Sequence, residues 1–443
     1  MRFQGRRAVV LGGSMAGLVA ARVLSDWFDD VTIVERDGLA EGAVPRKGVP
    51  QGRHLHVLLK RGEEVLAELF PGIVDTLARG GAERLDFARD LHWHHWGGWK
   101  ARFDSDIIAT FMTRPFLEAE VRRRVLAIPN VRVVDQHDAL GIACSEGRVT
   151  GLHVRARDGG AEQTLPANLV VDASGRGSQT PKWIEALGFP KPPESTVKIH
   201  VGYATRLYRR AEQAQFPWKA LYILGTPPAS RRLGVIIPVE GGRWSALVAG
   251  LLGDHPPDDP AGFLEYAKGL PAPDLHRALL ELEPLGEIAI HKFPSNLRRH
   301  YEKLERRPEG LVVVGDALCS FNPIYGQGMT AAGLDGLTLG TCLREHRRAA
   351  GNDLTGLAAR FHTEVSGIVD VLWAMTTGED FRYPEIEGER PPGYEMMKWY
   401  LGRVHEVAKR DSEVAGHFLR AMHMLASPTE LLRPRMVLRM MLG

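Results

Sequence analysis

The hydrophobic positions near the start of the chain fall in short unbroken runs separated by glycine turns, and they predict a βαβ unit. RAVVL (7–11) reads as a buried strand and GGSMAG as a turn, then LVAARVLSDWF as an amphipathic helix and VTIVE as a second strand closed by Glu35. Glycine and proline punctuate GLAEGAVPRKGVPQGRH, and helical spacing resumes through LHVLLKRGEEVLAELF. A Trp/His-rich stretch, LHWHHWGGWKARFD, precedes a strand around IIATFM, the helix RPFLEAEVRRRVLAI, the strand VRVVDQ and a hairpin arm at RVTGLHVRARDGG. LPANLVVDASGRGS again sets a strand before a glycine turn.

From about residue 191 the period changes to two. TVKIHVGYATRLY puts Val197, Ile199, Val201 and Tyr203 on one face, and RLGVIIPVEGGRWSALVAGLL holds a Gly-Gly turn between two apolar runs. An antiparallel sheet is therefore expected inside an α/β protein. Val201, Tyr203, Leu207, Tyr222 and Trp244 either line an apolar pocket on it or form ordinary sheet core. LVVV (311–314) reopens the α/β pattern, and from about residue 353 the chain reads as mainly helical. In the tail, Pro428 and Pro434 limit helix to 429–433 and 436–442. That segment either covers core or folds over the other domains, or over a second subunit, as a lid.

Composition removes several classes of function. With 44% hydrophobic and 25% charged residues in 443, the chain reads as a soluble globular protein, and a net charge of +2 gives no broad reason to expect nucleic acid. The three cysteines, Cys144, Cys319 and Cys342, form no CxxC pair, which fits a reducing compartment. The opening AVVL run meets glycines too soon for a signal-peptide core, and no stretch approaches the roughly 20 apolar residues of a spanning helix. The expectation is a cytoplasmic protein with no integral membrane segment.

Candidate chemistry gathers at the glycine turns. Gly12, Gly13, Ser14, Met15, Ala16 and Gly17 stand between strand and helix, and Glu35 ends the next strand 18 residues after Gly17. Small residues there let backbone N–H groups approach a pyrophosphate, and the acid can bond a ribose hydroxyl. Ser14 takes the place of the middle glycine. Glu35 would repel a 2′-phosphate, which favours FAD or NAD over NADP. Arg36 either covers an adenine or is a solvated surface charge.

Taken with DASGRGS (172–178) and GDALCSFNPIYGQGM (315–329), this unit resembles the FAD-dependent monooxygenases of the aromatic hydroxylase and squalene epoxidase type, over about residues 6–345. The resemblance implies an α/β fold with an FAD-binding Rossmann-like domain built from non-contiguous segments, 1–85, 105–190 and 285–350. It carries an inserted antiparallel substrate sheet, 86–104 and 191–284, and a helical C-terminal region, 351–443. Asp316 would bond the ribityl chain or lie beside the pyrophosphate, and Pro323 would pack near the isoalloxazine. Gly326, Gln327, Gly328 and Met329 would offer N–H groups to the flavin pyrimidine edge, where a helix N-terminus stabilises negative charge. Arg46 and Arg114 match positions that contact FAD, with Pro115 opening a helix and Arg114 at its cap. The loop PQGRHLH would bring Gln51, His54 and His56 beside the flavin. His54 and His56 are candidate bases for a phenolic substrate, and no third ligand at clear spacing accompanies them to make a metal site.

The implied activity is insertion of one oxygen atom into an apolar or aromatic small molecule, by epoxidation or hydroxylation through a flavin hydroperoxide, with NAD(P)H and oxygen. Three departures stand out. Cys319-Ser320 and Met329-Thr330 replace the His and Asn of aromatic hydroxylases, and DASGRGS is closer to halogenases and prenyl reductases. Trp93-His94-His95-Trp96 does not fit the WxWxIP of halogenases. An alkene (prenyl) reductase and a non-catalytic flavoprotein are the alternatives, and Asp172 is either a cofactor residue or a turn cap.

Overall fold

The computed structural model describes residues 2–39, 41–210 and 216–442, the Leu442 side chain apart. The chain opens with β1 (Phe3–Leu11), α1 (Met15–Leu24), β2 (Phe28–Val34), α2 (Lys60–Leu69) and α3 (Ile73–Arg79). Next come β3 (Glu83–Asp86), β4 (Leu91–His95), β5 (Gly98–Trp99), β6 (Ile108–Phe111), α4 (Arg114–Leu126) and β7 (Val131–Val134). A hairpin region, β8 (His137–Ser145), β9 (Arg148–Ala156) and β10 (Glu162–Pro166), leads to β11 (Leu169–Asp172) and α5 (Thr180–Ala186). The middle of the chain is β12 (Glu194–Arg209), β13 (Ala220–Leu224), β14 (Arg232–Val239), β15 (Arg243–Gly250), α6 (Pro260–Lys268), α7 (Asp274–Glu281) and β16 (Pro284–Arg299). After β17 (Leu311–Val313) and β18 (Cys319–Ser320) the chain is helical: α8 (Gly328–Ala350), α9 (Leu357–Asp380), α10 (Tyr394–Val407), α11 (Ser412–Met422) and α12 (Pro434–Leu442).

Two sheets organise the molecule. The Rossmann-like layer is a parallel sheet in the order β17-β11-β1-β2-β7. Its register aligns Leu11 with Val34 and Asp172, and Asp172 with Val313. The carboxyl ends of four strands therefore share one edge, and GGSMAG, DASGRGS and the turn that carries Asp316 leave from it, the usual place for a ligand crevice in an open α/β sheet. The core between this sheet and α1, α8 and α9 is apolar, with Val10, Leu18, Val313 and Leu339 fully buried.

The second sheet has the order β18-β16-β12-β15-β14-β13-β4-β5, and so joins residues 91–99 to the middle of the chain. It also runs beyond the boundary expected at residue 284. All of β16 pairs with β12, and Cys319–Ser320 adds an edge. The charged residues that alternate along β16 hide this strand in the hydrophobicity pattern. The period of two separates its faces: Trp93, Val201, Tyr203, Val235 and Ile237 pack on the inner one, with Tyr222 against them. Ala204, Tyr208, Ile236 and Trp244 pack on the outer face beneath α6 and α7. Tyr222 and Trp244, grouped together as pocket candidates, thus lie on opposite sides of the sheet.

The tail corrects a second expectation. The two short pieces are present, Pro428–Leu432 and Pro434–Leu442, but Pro434 itself opens the second, at a position where the missing N–H would have no partner anyway. Leu431 and Met440 are buried with Tyr400, Val404, Val407 and Val414 of α10 and α11. The segment therefore covers the helical region, with Phe103 packed against the same cluster. Among the described residues, no helix is long and apolar enough to cross a membrane.

Candidate cofactor and substrate site

The turn after β1 is packed too tightly for side chains. A Cβ on Gly17 would run into the carbonyl oxygen of Gly12, and one on Gly12 would meet the carbonyl of Ala173. The Gly13 N–H donates to Glu35 Oε2 at 2.7 Å and the Asp37 N–H to Oε1 at 3.0 Å. Ser14 occupies the N-cap of α1, yet its hydroxyl makes no cap hydrogen bond to that helix. It donates instead to Glu118 Oε2 at 2.7 Å and accepts from Arg114 Nη2 at 2.9 Å. This accounts for a serine where the fingerprint has glycine, and it leaves the first-turn N–H groups of α1 without a side-chain cap.

Glu118, which the sequence reading passed over, is the centre of this end. Arg46 Nη2 lies 2.5 Å from its Oε1, Arg114 Nη2 3.1 Å from its Oε2, and Arg122 Nη1 3.8 Å away. Arg46 also reaches the Gly13 carbonyl, at 3.1 Å, and Glu35, at 3.1 Å. Burial acts to raise the Glu118 carboxyl, but the charges of Arg114 and Arg46 outweigh it and hold the group below the ordinary carboxylate range. Thr113, not Arg114, caps α4: its hydroxyl accepts from the Phe116 N–H, and Arg114 begins the first turn. Arg36 is exposed at the edge, and Gln51 is half-buried in the short turn Pro50–Arg53.

At the far end of the sheet edge, Gly315 donates its N–H to Asp335 Oδ2 at 2.7 Å, which fixes the turn that carries Asp316. The half-buried Asp316 carboxylate faces Arg114 and Arg176, and among the described residues it accepts no hydrogen bond from the protein. Gly326 adopts φ +68, and Gln327 caps α8 by position only, since its side chain turns away to the Thr376 hydroxyl at 2.6 Å. A second helix N-terminus is thus left without a side-chain cap. Gly328 begins it, Met329 packs against the parallel-sheet core, and Pro323 is exposed on the turn before it. Asp172, by contrast, is spent on its own turn, accepting from the Ser174 N–H and from the hydroxyls of Ser174, Ser178 and Thr180.

His54 and His56 do not share a face. His54 Nδ1 is 2.9 Å from Thr205 Oγ1 on the inner sheet face, with the Tyr203 ring 4.6 Å and the His291 ring 5.9 Å away. His56 donates from Nδ1 to the His54 carbonyl at 2.9 Å and looks toward Arg114 and Glu118. Burial holds both imidazoles neutral, at about 3 for His54 and about 4 for His56. Between and beyond them Leu55, Val57 and Ile324 pack on the inner face, so the sheet lies against the turn that precedes α8.

The sequence profile described as "FAD dependent oxidoreductase" matches residues 8–180. Protein Rv3254 of Mycobacterium tuberculosis is 34% identical over 435 residues, which cover 95% of this chain and 90% of that one. The chain belongs to the FAD-dependent oxidoreductases. Two solved structures share the fold of this oxidoreductase at low identity. The flavin-dependent brominase Bmp2 has a TM-score of 0.70 at 13% identity, covering 99% of this chain and 98% of its own. The p-nitrophenol 4-monooxygenase PnpA from Pseudomonas putida DLL-E4 has a TM-score of 0.66 at 17% identity, covering 94% and 97%.

The residues present suit FAD on structural grounds. The oxidoreductase has two uncapped helix N-termini on one edge, and an anion is stabilised at such a terminus. Between them stand paired arginines and a carboxylate, Asp316, free to accept from a ligand hydroxyl. Glu118 could have been found in the sequence, since it lies four residues after Arg114 on a helix and so on the same face. Arg176 lies within DASGRGS but was not singled out there, and Thr205, His291 and Asp335 carried no local signal.

Proposed function

We propose that the protein is an FAD-dependent monooxygenase that inserts one oxygen atom of O2 into an apolar or aromatic small molecule, with NAD(P)H as electron donor. In this reading Gly12 to Gly17, Glu35, Arg36, Arg46, Gln51 and Arg114 hold the dinucleotide part of FAD. Asp316, Pro323, Gly326, Gln327, Gly328 and Met329 hold the flavin part. FAD supplies the electron transfer and the activation of oxygen. The chain's own part is to bind and orient the substrate and to keep water out.

The observation that carries the reading is the group of rings His54, Tyr203 and His291 on the inner sheet face beside the turn before α8, with the partly buried Leu55, Val57 and Ile324 packed on the same face. An apolar wall with few polar groups is what a small-molecule pocket needs. His54 is neutral there and sits on Thr205, so it can accept a hydrogen bond from a substrate hydroxyl, while the same burial makes it a weak base. His56, bonded to the His54 carbonyl, faces Arg114 and Glu118 at the charged end. Oxygen uptake by the flavin-loaded enzyme with NAD(P)H, measured against a panel of phenols and polyenes, tests the proposal. Substrate-stimulated uptake with an oxygenated product is expected, and uptake that no compound stimulates would count against it.

A further inference from the structure

Two side chains of α9, far along the chain from the glycine motifs, grip the turn that leads into α8. Asp380, fully buried, accepts from Asn322 Nδ2 at 2.7 Å and from the Tyr325 hydroxyl at 3.0 Å on one oxygen, and from Asn296 Nδ2 at 2.7 Å on the other. Thr376, one helical turn earlier on the same face, donates to Gln327 Oε1 at 2.6 Å. Asn322 is held twice more, its N–H on Asn296 Oδ1 at 2.5 Å and its Oδ1 on the Ile324 N–H at 3.2 Å. Both ends of residues 322–327 are thereby fixed from α9, with Asn296 tying the same carboxylate to β16. All three donors on Asp380 are neutral, and the next residue, Glu379, pairs the other way with Arg382 at 2.8 Å. A buried carboxylate with three donors and no cation is a costly arrangement unless the groups it orders matter.

We propose that Asp380 and Thr376 are positioning residues for the flavin, which hold residues 322–327 in the conformation that binds it and so set the affinity and the visible spectrum of bound FAD. The inference rests on reading this turn as flavin-facing. Asp380→Asn places an amide N–H2 among three donors without changing the shape of the side chain. Thr376→Val and Tyr325→Phe each remove one hydrogen bond and keep the packing.

The experiment is FAD titration of flavin-free wild type and the three variants, following the long-wavelength flavin bands, alongside circular dichroism and melting of the flavin-free proteins. Asp380→Asn should raise the FAD dissociation constant about tenfold or more, and the other two about threefold, each with an altered flavin spectrum in a folded protein. A merely structural role would lower melting and leave affinity and spectrum at their wild-type values, and that result would overturn the proposal. If Asp380→Asn does not fold, Thr376→Val and Tyr325→Phe decide by the same criterion. Wild type that takes up no FAD would instead remove the flavin-facing reading of the turn, and the proposal with it.

Discussion

The two ends of the proposed FAD crevice are built on opposite electrostatic plans. At the dinucleotide end, Glu118 and Glu35 are matched by Arg46 and Arg114, so that buried charge is met by buried charge. At the flavin end, Asp380 is met only by amides and a phenol, and Asp335 by a backbone N–H. The difference shows in protonation. Burial is the largest influence on all three acids, but opposing arginines bring Glu118 below its ordinary value, whereas Asp335 and Asp380 are left at about 7. A ligand with phosphates at one end and a neutral ring system at the other meets a clamp of paired charges at the first and a clamp of neutral donors at the second.

The largest effect is expected from breaking the charged clamp. Glu118→Ala leaves Arg46 and Arg114 buried without their main partner, and loss of one member of a buried pair costs about 3–5 kcal/mol. Chemical denaturation of the flavin-free protein should show this loss, and added FAD should recover part of it because the phosphates replace the missing charge. A loss below about 1 kcal/mol, the range of an exposed pair, would mean that the cluster is solvated.

Asp316 lies between the two ends and is expected to act on the ligand alone. It accepts no hydrogen bond from the described residues, so Asp316→Ala should leave the flavin-free protein as stable as wild type. A lost charge-assisted hydrogen bond of about 1.5–3 kcal/mol should weaken FAD binding about tenfold or more. Unchanged affinity in a titration would assign the acid to the turn.

The two ends should also differ in their response to pH, moving in opposite directions. Asp380 and Asp335 bind their protons more tightly folded than unfolded, from an ordinary value of 3.8 to about 7. Their contribution is therefore complete below 3.8 and is lost as pH rises through about 7, by at most about 1.4 kcal/mol per pH unit for each. Glu118, depressed from 4.5, contributes above that value and loses its share as pH falls. The buried histidines His54 and His56 also titrate in acid, so the Asp380 part is best read as the difference between wild type and Asp380→Asn, in which they cancel. The advantage of wild type in denaturation should shrink from about pH 4 to about pH 7, and a constant difference would mean that Asp380 keeps an ordinary value.

What the sequence disclosed follows the same division. The βαβ unit was legible because its signals are local: a strand, glycines that only close packing explains, a helix, and an acid at the next strand end. Arg46 and Arg114 were legible as candidates, but the carboxylate that organises them was not sought, although it stands on the same helix face as Arg114. The clamp at the flavin end joins residues 84 and 58 positions apart, and no periodicity links Asn296 or Asn322 to Asp380. Within the sheet, alternation was visible in each strand, but which parity faces α6 and α7 depends on what packs there, so Trp244 was placed with Tyr222. In the tail the division into two short helical pieces was legible from the prolines, and only the start of the second was misplaced, since Pro434 begins it.

The central claim is that this flavoenzyme inserts oxygen. The most direct measurement is turnover of the flavin-loaded enzyme with NAD(P)H under 18O2, with the product analysed by mass spectrometry. The account predicts a product that carries a single 18O atom, formed in step with NAD(P)H oxidation. A product saturated at an alkene with no 18O, or NAD(P)H oxidation without any product, would contradict it.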